Sequence, residues 1–355
     1  MISAEPSIGK TRLDWIEWVR GIAAVLVVLA HFLAGVSPTF AEFTTGILDI
    51  GRVGVVAFFL VSGFVVPLSY RNQRTSVFIV RRISRLYPVY LIVLAVTVAF
   101  FFPRADWSSA IWWGEFLLNM TMLQQLFGAT IITVAWTLAI ELIFYFQQIF
   151  FKTIKLLDLS WVLGYFWAAI FVVVIAAEHV LNRELPISFP MLLAVSCIGH
   201  ALSLTLGGQL APRHAVVMTA VVIVAIVAST SFRAGYDQQW PPLLYITSFL
   251  GGFVFFAAAY ALRNRLELRW AIWLGGISYA LYLSHSVTGV FIRRAPDELL
   301  WPAFGAAAAT AVASAWLLHK FVERPFIRLG RTFGQSKSTI SQENQIAMSA
   351  AEKVQ

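Results

Sequence analysis

Ten stretches of about twenty mostly apolar residues recur along this chain, and that recurrence constrains the fold more than any other feature. Wound as a helix at ~1.5 Å per residue, such a stretch matches a hydrocarbon core of ~30 Å. The segments fall at residues 17–36, 51–70, 86–102, 134–151, 160–180, 189–207, 215–231, 242–262, 271–291 and 301–320. The expected fold is all-α: a polytopic integral membrane bundle of about ten transmembrane helices. Residues 108–127 are too polar for a span, with Glu115, Asn119, Gln124 and Gln125 among them. An extra re-entrant or interfacial helix is expected there. Residues 1–12 read as a cytoplasmic N-terminal segment and 13–331 as one membrane domain. Residues 332–355 are polar and expected to be a disordered cytoplasmic tail. No room is left for a soluble domain of ordinary size, and no cleavable signal peptide is expected.

The net charge of +8 reports topology rather than nucleic-acid binding. With the N-terminus inside, the inner segments hold nineteen Lys and Arg and the outer loops five. That asymmetry predicts both termini in the cytoplasm. An eleventh span at 108–127 would invert everything after it. The single Cys197 excludes an intramolecular disulfide and a cysteine-based metal cluster.

Four groups of residues break the apolar pattern. In the first segment, Arg20 and His31 are eleven residues apart, so they share a helix face ~16 Å apart along its axis. Ionisable groups inside a membrane helix are costly and usually face a protein interior or a wet cavity. The alternative is an arginine reaching to the interface and a histidine that merely packs. The inner loop after the second segment carries Arg81, Arg82 and Arg85. They suit either a positive-inside anchor or a clamp for phosphate, which guanidinium forks bind bidentately. Pro88 is expected near the start of the following span. The fourth segment places Glu141 one turn from Tyr145, so this carboxylate needs a partner, a proton or a cavity. The ninth carries Ser278, Tyr282 and His285 at spacings of four and three, a polar stripe along one face. In the second segment the small residues Gly54, Ala57 and Gly63 permit close helix approach. His179, His200, His214 and His319 read as residues near span ends without a role in the chemistry.

Taken in order, these stretches resemble the membrane acyltransferase family 3, whose members O-acylate sugars and other acceptors. The resemblance covers residues from about 13 to 331. Arg, ten residues, His corresponds to Arg20 to His31, with Glu17 where an Asp is usual. Phe-Phe-x-x-Ser-Gly-Phe is Phe58 to Phe64, and Arg-x-x-Arg-Leu-Tyr-Pro is Arg82 to Pro88. Trp-Ser-Leu-x-x-Glu is Trp136 to Glu141, with Thr137 replacing Ser. Ser-Tyr-x-x-Tyr-Leu-x-His is Ser278 to His285, and Glu-x-Pro-Phe is Glu323 to Phe326. Many members carry Asp before the Phe-Phe stretch, where this chain has Val56.

The resemblance implies an O-acyltransferase moving an acyl group, expected to be acetyl, from acyl-CoA to a carbohydrate hydroxyl, such as one on exopolysaccharide or lipopolysaccharide. His31 would be general base or transient acyl carrier, with Glu141 as its catalytic partner. Arg20, Arg81, Arg82 and Arg85 would hold the donor. Trp136, Tyr282 and His285 would bind the acceptor. It implies acyl-CoA as co-substrate, with no bound cofactor and no metal. The partners would be a carbohydrate or glycolipid acceptor and the bilayer, without nucleic acid, in the cell's inner (plasma) membrane. The alternative is a multi-pass transporter using the same polar residues.

Overall fold

A computed structural model of the protein describes residues 14–102, 108–128, 130–183, 185–231 and 241–333. The segment 1–12 and residues 334–355 of the polar tail lie outside the described residues. Among those described there are helices and no strand. In chain order the α-helices are α1 (Asp14–Ala34), α2 (Pro38–Gly46), α3 (Ile50–Tyr70), α4 (Thr75–Phe101) and α5 (Ala110–Met120). They continue as α6 (Trp136–Thr153), α7 (Leu163–Leu181), α8 (Ser188–Leu206), α9 (Pro212–Ser231) and α10 (Pro242–Leu262). The last are α11 (Arg269–Thr288), α12 (Val290–Arg293), α13 (Leu300–Leu318) and α14 (Arg324–Thr332).

Nine helical segments among the described residues are long and apolar enough to cross a membrane. The helix α11 has the length but not the uniform apolarity, because it carries the Ser/Tyr/His stripe. It is nonetheless among the more deeply buried helices, packed against α1, α13 and α4. Counting α11, each of the ten expected segments coincides with a helix. The polar stretch at 108–127 forms α5, eleven residues long, followed by a short 3-10 turn at Gln124–Phe127. Eleven residues rise only ~16 Å, too little to cross.

One expectation needs correcting. The arginines at 81, 82 and 85 are not in a loop: α4 begins at Thr75 and runs 27 residues, ~40 Å, so its first turns lie on the helix. Pro88 therefore stands in the helix interior, where it removes the amide that would bond the Ser84 carbonyl. The inner connection from α3 shrinks to a turn, held by the Lys152 ammonium, which donates to the carbonyls of Tyr70, Arg71 and Gln73.

The centre of the bundle is α1, α3 and α11. Helices α1 and α11 run parallel, since Glu17 meets Gly275, Arg20 meets Ser278 and His31 meets His285. Two glycines make this contact possible. A Cβ on Gly21 would lie 2.0 Å from the Ala271 carbonyl oxygen, and one on Gly275 would lie 2.0 Å from that of Glu17. The same device joins α3 to α8, where a Cβ on Gly63 would sit 1.8 Å from the Ser196 carbonyl oxygen.

Gly275 and its neighbour Gly276 give a paired test, because nothing lies within 4 Å of a Cβ on Gly276. Gly275→Ala is expected to lower stability by about 2 kcal/mol or more through backbone overlap. Gly276→Ala is expected to be neutral or to stabilise by up to ~1 kcal/mol through helix propensity. Thermal unfolding in detergent checks the pair: equal effects would refute the contact.

Candidate active site

The polar residues of the bundle frame two adjacent cavities. The inner one, about 160 Å³, lies among α1, α3, α4, α6 and α11. Its charged lining is Glu17, Arg20, Arg82, Arg85 and Glu141. The Arg20 Nη1 donates to both carboxylate oxygens of Glu17, at 3.0 and 3.1 Å, and Nη2 donates to the Ser278 hydroxyl at 3.0 Å. The Ser278 hydroxyl in turn donates to the Gly275 carbonyl at 2.8 Å. Arg82 lies 5.1 Å above the rings of Phe78 and Tyr145 and donates to the Ser69 hydroxyl at 3.2 Å. The Tyr145 phenol donates to Glu141, one turn away on α6. Arg85 lines the same cavity, and its guanidinium makes no hydrogen bond to another described residue.

The outer cavity is larger, about 970 Å³, at the upper end of the roughly 300–1,000 Å³ of small-molecule sites. His31, Asp49, Arg52, Trp136 and Tyr245 are among its walls. His31 is exposed into it. Its Nδ1 lies 2.8 Å from the Val27 carbonyl oxygen, which only accepts. In the neutral ring Nδ1 therefore carries the proton and Nε2 keeps its lone pair. The His285 ring is 5.1 Å from that of His31, centroid to centroid, and is 1% exposed. Asp49 caps α3 by accepting from the Arg52 amide at 3.0 Å. Among the described residues no group of three or more His, Cys, Asp or Glu could hold a metal ion.

Among the described residues, Val55 and Tyr282 line both cavities. Arg20 and His31 do share the face of α1 that meets α11, but they line different cavities, which adjoin at Val55 of α3 and Tyr282 of α11. Glu141 opens beside Arg20, five residues along α6 from Trp136, which faces the outer cavity; it is not next to His31. His285 backs His31 without lining either cavity. Arg81 lines neither: it lies beside Gly330 where α4 meets α14.

Sequence reasoning missed the pair at the end of α13. His319–Glu323 form a π-helical turn, and His319 Nδ1 is 2.8 Å from a Glu323 oxygen. Glu323 is 2% exposed and interacts electrostatically with Arg20 and Arg85. Its place in the Glu-x-Pro-Phe stretch was the available signal; spacing alone did not reveal the π turn. His200 is likewise more than a span-end residue, being buried within α8 with Nδ1 3.0 Å from the Ser160 hydroxyl.

Val56 faces away from both cavities. It is 0% exposed and packs on α10, where a Cβ on Gly252 would come within 2.5 Å of it. Valine here fills the α3–α10 contact.

The family model described as an acyltransferase domain matches residues 13–320. The acyltransferase MdmB of Streptomyces mycarofaciens is 26% identical over 367 aligned residues, covering 90% of this chain and 92% of that protein. No solved structure matches the chain.

Val56→Asp, which introduces the acid that the family resemblance implies at this position, is expected to cost about 2 kcal/mol or more, since it buries a carboxyl against apolar neighbours. It is expected to leave turnover per folded molecule no higher. Thermal unfolding and specific activity check both parts; a gain in activity would show that position 56 reaches the chemistry.

Proposed function

The chain belongs to the acyltransferase-domain family, and from that premise we propose that this membrane acyltransferase moves an acyl group, acetyl in the first instance, from acyl-CoA to a carbohydrate hydroxyl. The observation that carries the reading is the meeting of a guanidinium-lined inner cavity with an outer cavity holding a histidine whose Nε2 lone pair is free to act. A donor with phosphates fits the first, since Arg85 has uncommitted donors beside Arg82. Arg20, fixed by Glu17 and Ser278, would guide the pantetheine arm. Glu141, with Tyr145, would balance the guanidiniums and hold that arm rather than touch His31.

The acceptor would occupy the outer cavity. Trp136 offers an indole for a sugar face, and Asp49 and Arg52 offer partners for hydroxyls. There His31 Nε2 takes the proton of the acceptor hydroxyl as that oxygen attacks the thioester carbon; the C–S bond breaks and sulfur leaves with its electron pair. Transient acylation of His31 uses the same lone pair. Tyr282 offers the acceptor little face to stack on: the residue is 8% exposed and its ring is edge-on to Phe58. The Lys/Arg asymmetry supports a plasma-membrane orientation with both termini inside and the guanidinium cavity at the cytoplasmic end. Exopolysaccharide and lipopolysaccharide are the acceptor classes to test. The transporter alternative gains no specific observation.

Comparing surface polysaccharide from cells with and without the gene by NMR is expected to show loss of ester-linked acyl groups. His31→Ala is expected to reduce transfer from radiolabelled acetyl-CoA by roughly 10²-fold or more while the protein still inserts and purifies as a monodisperse species. Full transfer by that variant would reject the assignment.

A further inference from the structure

The partition between the two cavities is itself polar. Tyr282 supplies it from α11, and its phenol meets the start of α6. The phenolic oxygen is 2.8 Å from the Val134 carbonyl oxygen and 2.9 Å from the Thr137 hydroxyl. Thr137 lines the inner cavity, Val134 the outer, and Tyr282 both. Two hydroxyls therefore stand together where a donor's acyl end, entering from one side, meets an acceptor entering from the other.

Their bonding is unequal. The Thr137 hydroxyl has the same Val134 carbonyl at 3.4 Å, long for an O–H···O bond. The carbonyl has a better donor in Tyr282. While the phenol proton is there, the Thr137 hydroxyl donates to the phenolic oxygen at 2.9 Å; when the phenol instead donates to Thr137, the Thr137 proton is left only the 3.4 Å carbonyl and can turn to a ligand on the donor side, which Thr137 fronts. Tyr282 is fixed at its other edge as well, with Phe58 at 6.3 Å and the His285 ring at 5.8 Å.

We infer that Thr137 is a catalytic residue whose hydroxyl donates to the thioester carbonyl oxygen, with Tyr282 as the positioning residue that holds it at the junction. The inference rests on the acyl-thioester reading above. As the acceptor oxygen bonds to the carbonyl carbon, the C=O π pair moves onto oxygen, and the Thr137 O–H bonds to that oxyanion. Collapse restores C=O and breaks C–S, with the electron pair on sulfur. The proton taken by His31 from the acceptor ends on the CoA thiolate. The charge on the carbonyl oxygen develops mainly in the transition state, so a donor placed there acts on turnover more than on binding. In this low-dielectric setting its effect is larger than in water.

The test uses full-length protein in detergent, radiolabelled acetyl-CoA as donor, and cell envelope from a strain lacking the gene as acceptor. Binding is measured separately with a non-reactive thioether analogue of acetyl-CoA. Thr137→Val is expected to lower turnover about 10²- to 10³-fold, with analogue affinity within twofold of the parent. Thr137→Ser, which keeps the hydroxyl, is expected to retain turnover within about tenfold. Tyr282→Phe is expected to fall about tenfold or more in kcat with donor KM unchanged, and it carries the test if Thr137→Val yields no folded protein. Turnover by Thr137→Val within threefold of the parent overturns the inference. So does a loss matched by an equal loss of analogue binding, which would mark a structural role. A parent protein that consumes no acetyl-CoA overturns the donor reading together with this inference, whereas failure of the variants alone to lose activity overturns only the latter.

Discussion

The backbone contact between α1 and α11 holds both ends of the site in register. Gly21 and Gly275 let the two helices touch without side chains between them. From that contact the parallel course of the helices carries Arg20 to Ser278 and, further along, His31 to His285. A methyl group at either glycine would open the helices and loosen the arginine and the imidazole together.

Electrostatics explains why the polar groups lie where they do. A bare guanidinium at the centre of a bilayer costs roughly 3 kcal/mol on insertion scales, and more on an isolated helix. Arg20 offsets that cost through two carboxylate contacts and one hydroxyl, made largely within the helix pair that positions it. The buried Glu323 adds negative charge near Arg20 and Arg85 from a π turn at the end of α13. The stripe on α11 is tolerated for the same reason: Ser278, Tyr279 and Tyr282 each bond within the protein, to Gly275, Leu86 and Val134 respectively. These ties leave His31 Nε2 and the Arg85 fork as the groups most available to a ligand.

Much of this was legible in the chain. Apolar segment length located all ten long helices, and helical periodicity placed Arg20 with His31 and Ser278 with His285 on shared faces, where α1 and α11 do meet. What periodicity cannot supply is which third element comes between two residues on one face. Val55 belongs to α3, whose close approaches run through Gly54 to Ala23 and through Gly63 to Ser196, so the division into two cavities was hidden. The arginine cluster was visible, but not that α4 begins at Thr75 and packs on α14, which leaves Arg81 beside Gly330 while Arg82 and Arg85 line the inner cavity. Val56 looked like a missing acid in a motif; against Gly252 of α10 it is a packing residue.

A cryo-electron microscopy structure with a non-reactive thioether analogue of acetyl-CoA bears on the whole arrangement. The phosphates are expected beside Arg82 and Arg85, the acyl carbonyl at Thr137 and Tyr282, and the acyl carbon open to His31 across that partition. An analogue seated wholly in the outer cavity, with its phosphates away from the α4 guanidiniums, would contradict the division of donor and acceptor between the two cavities.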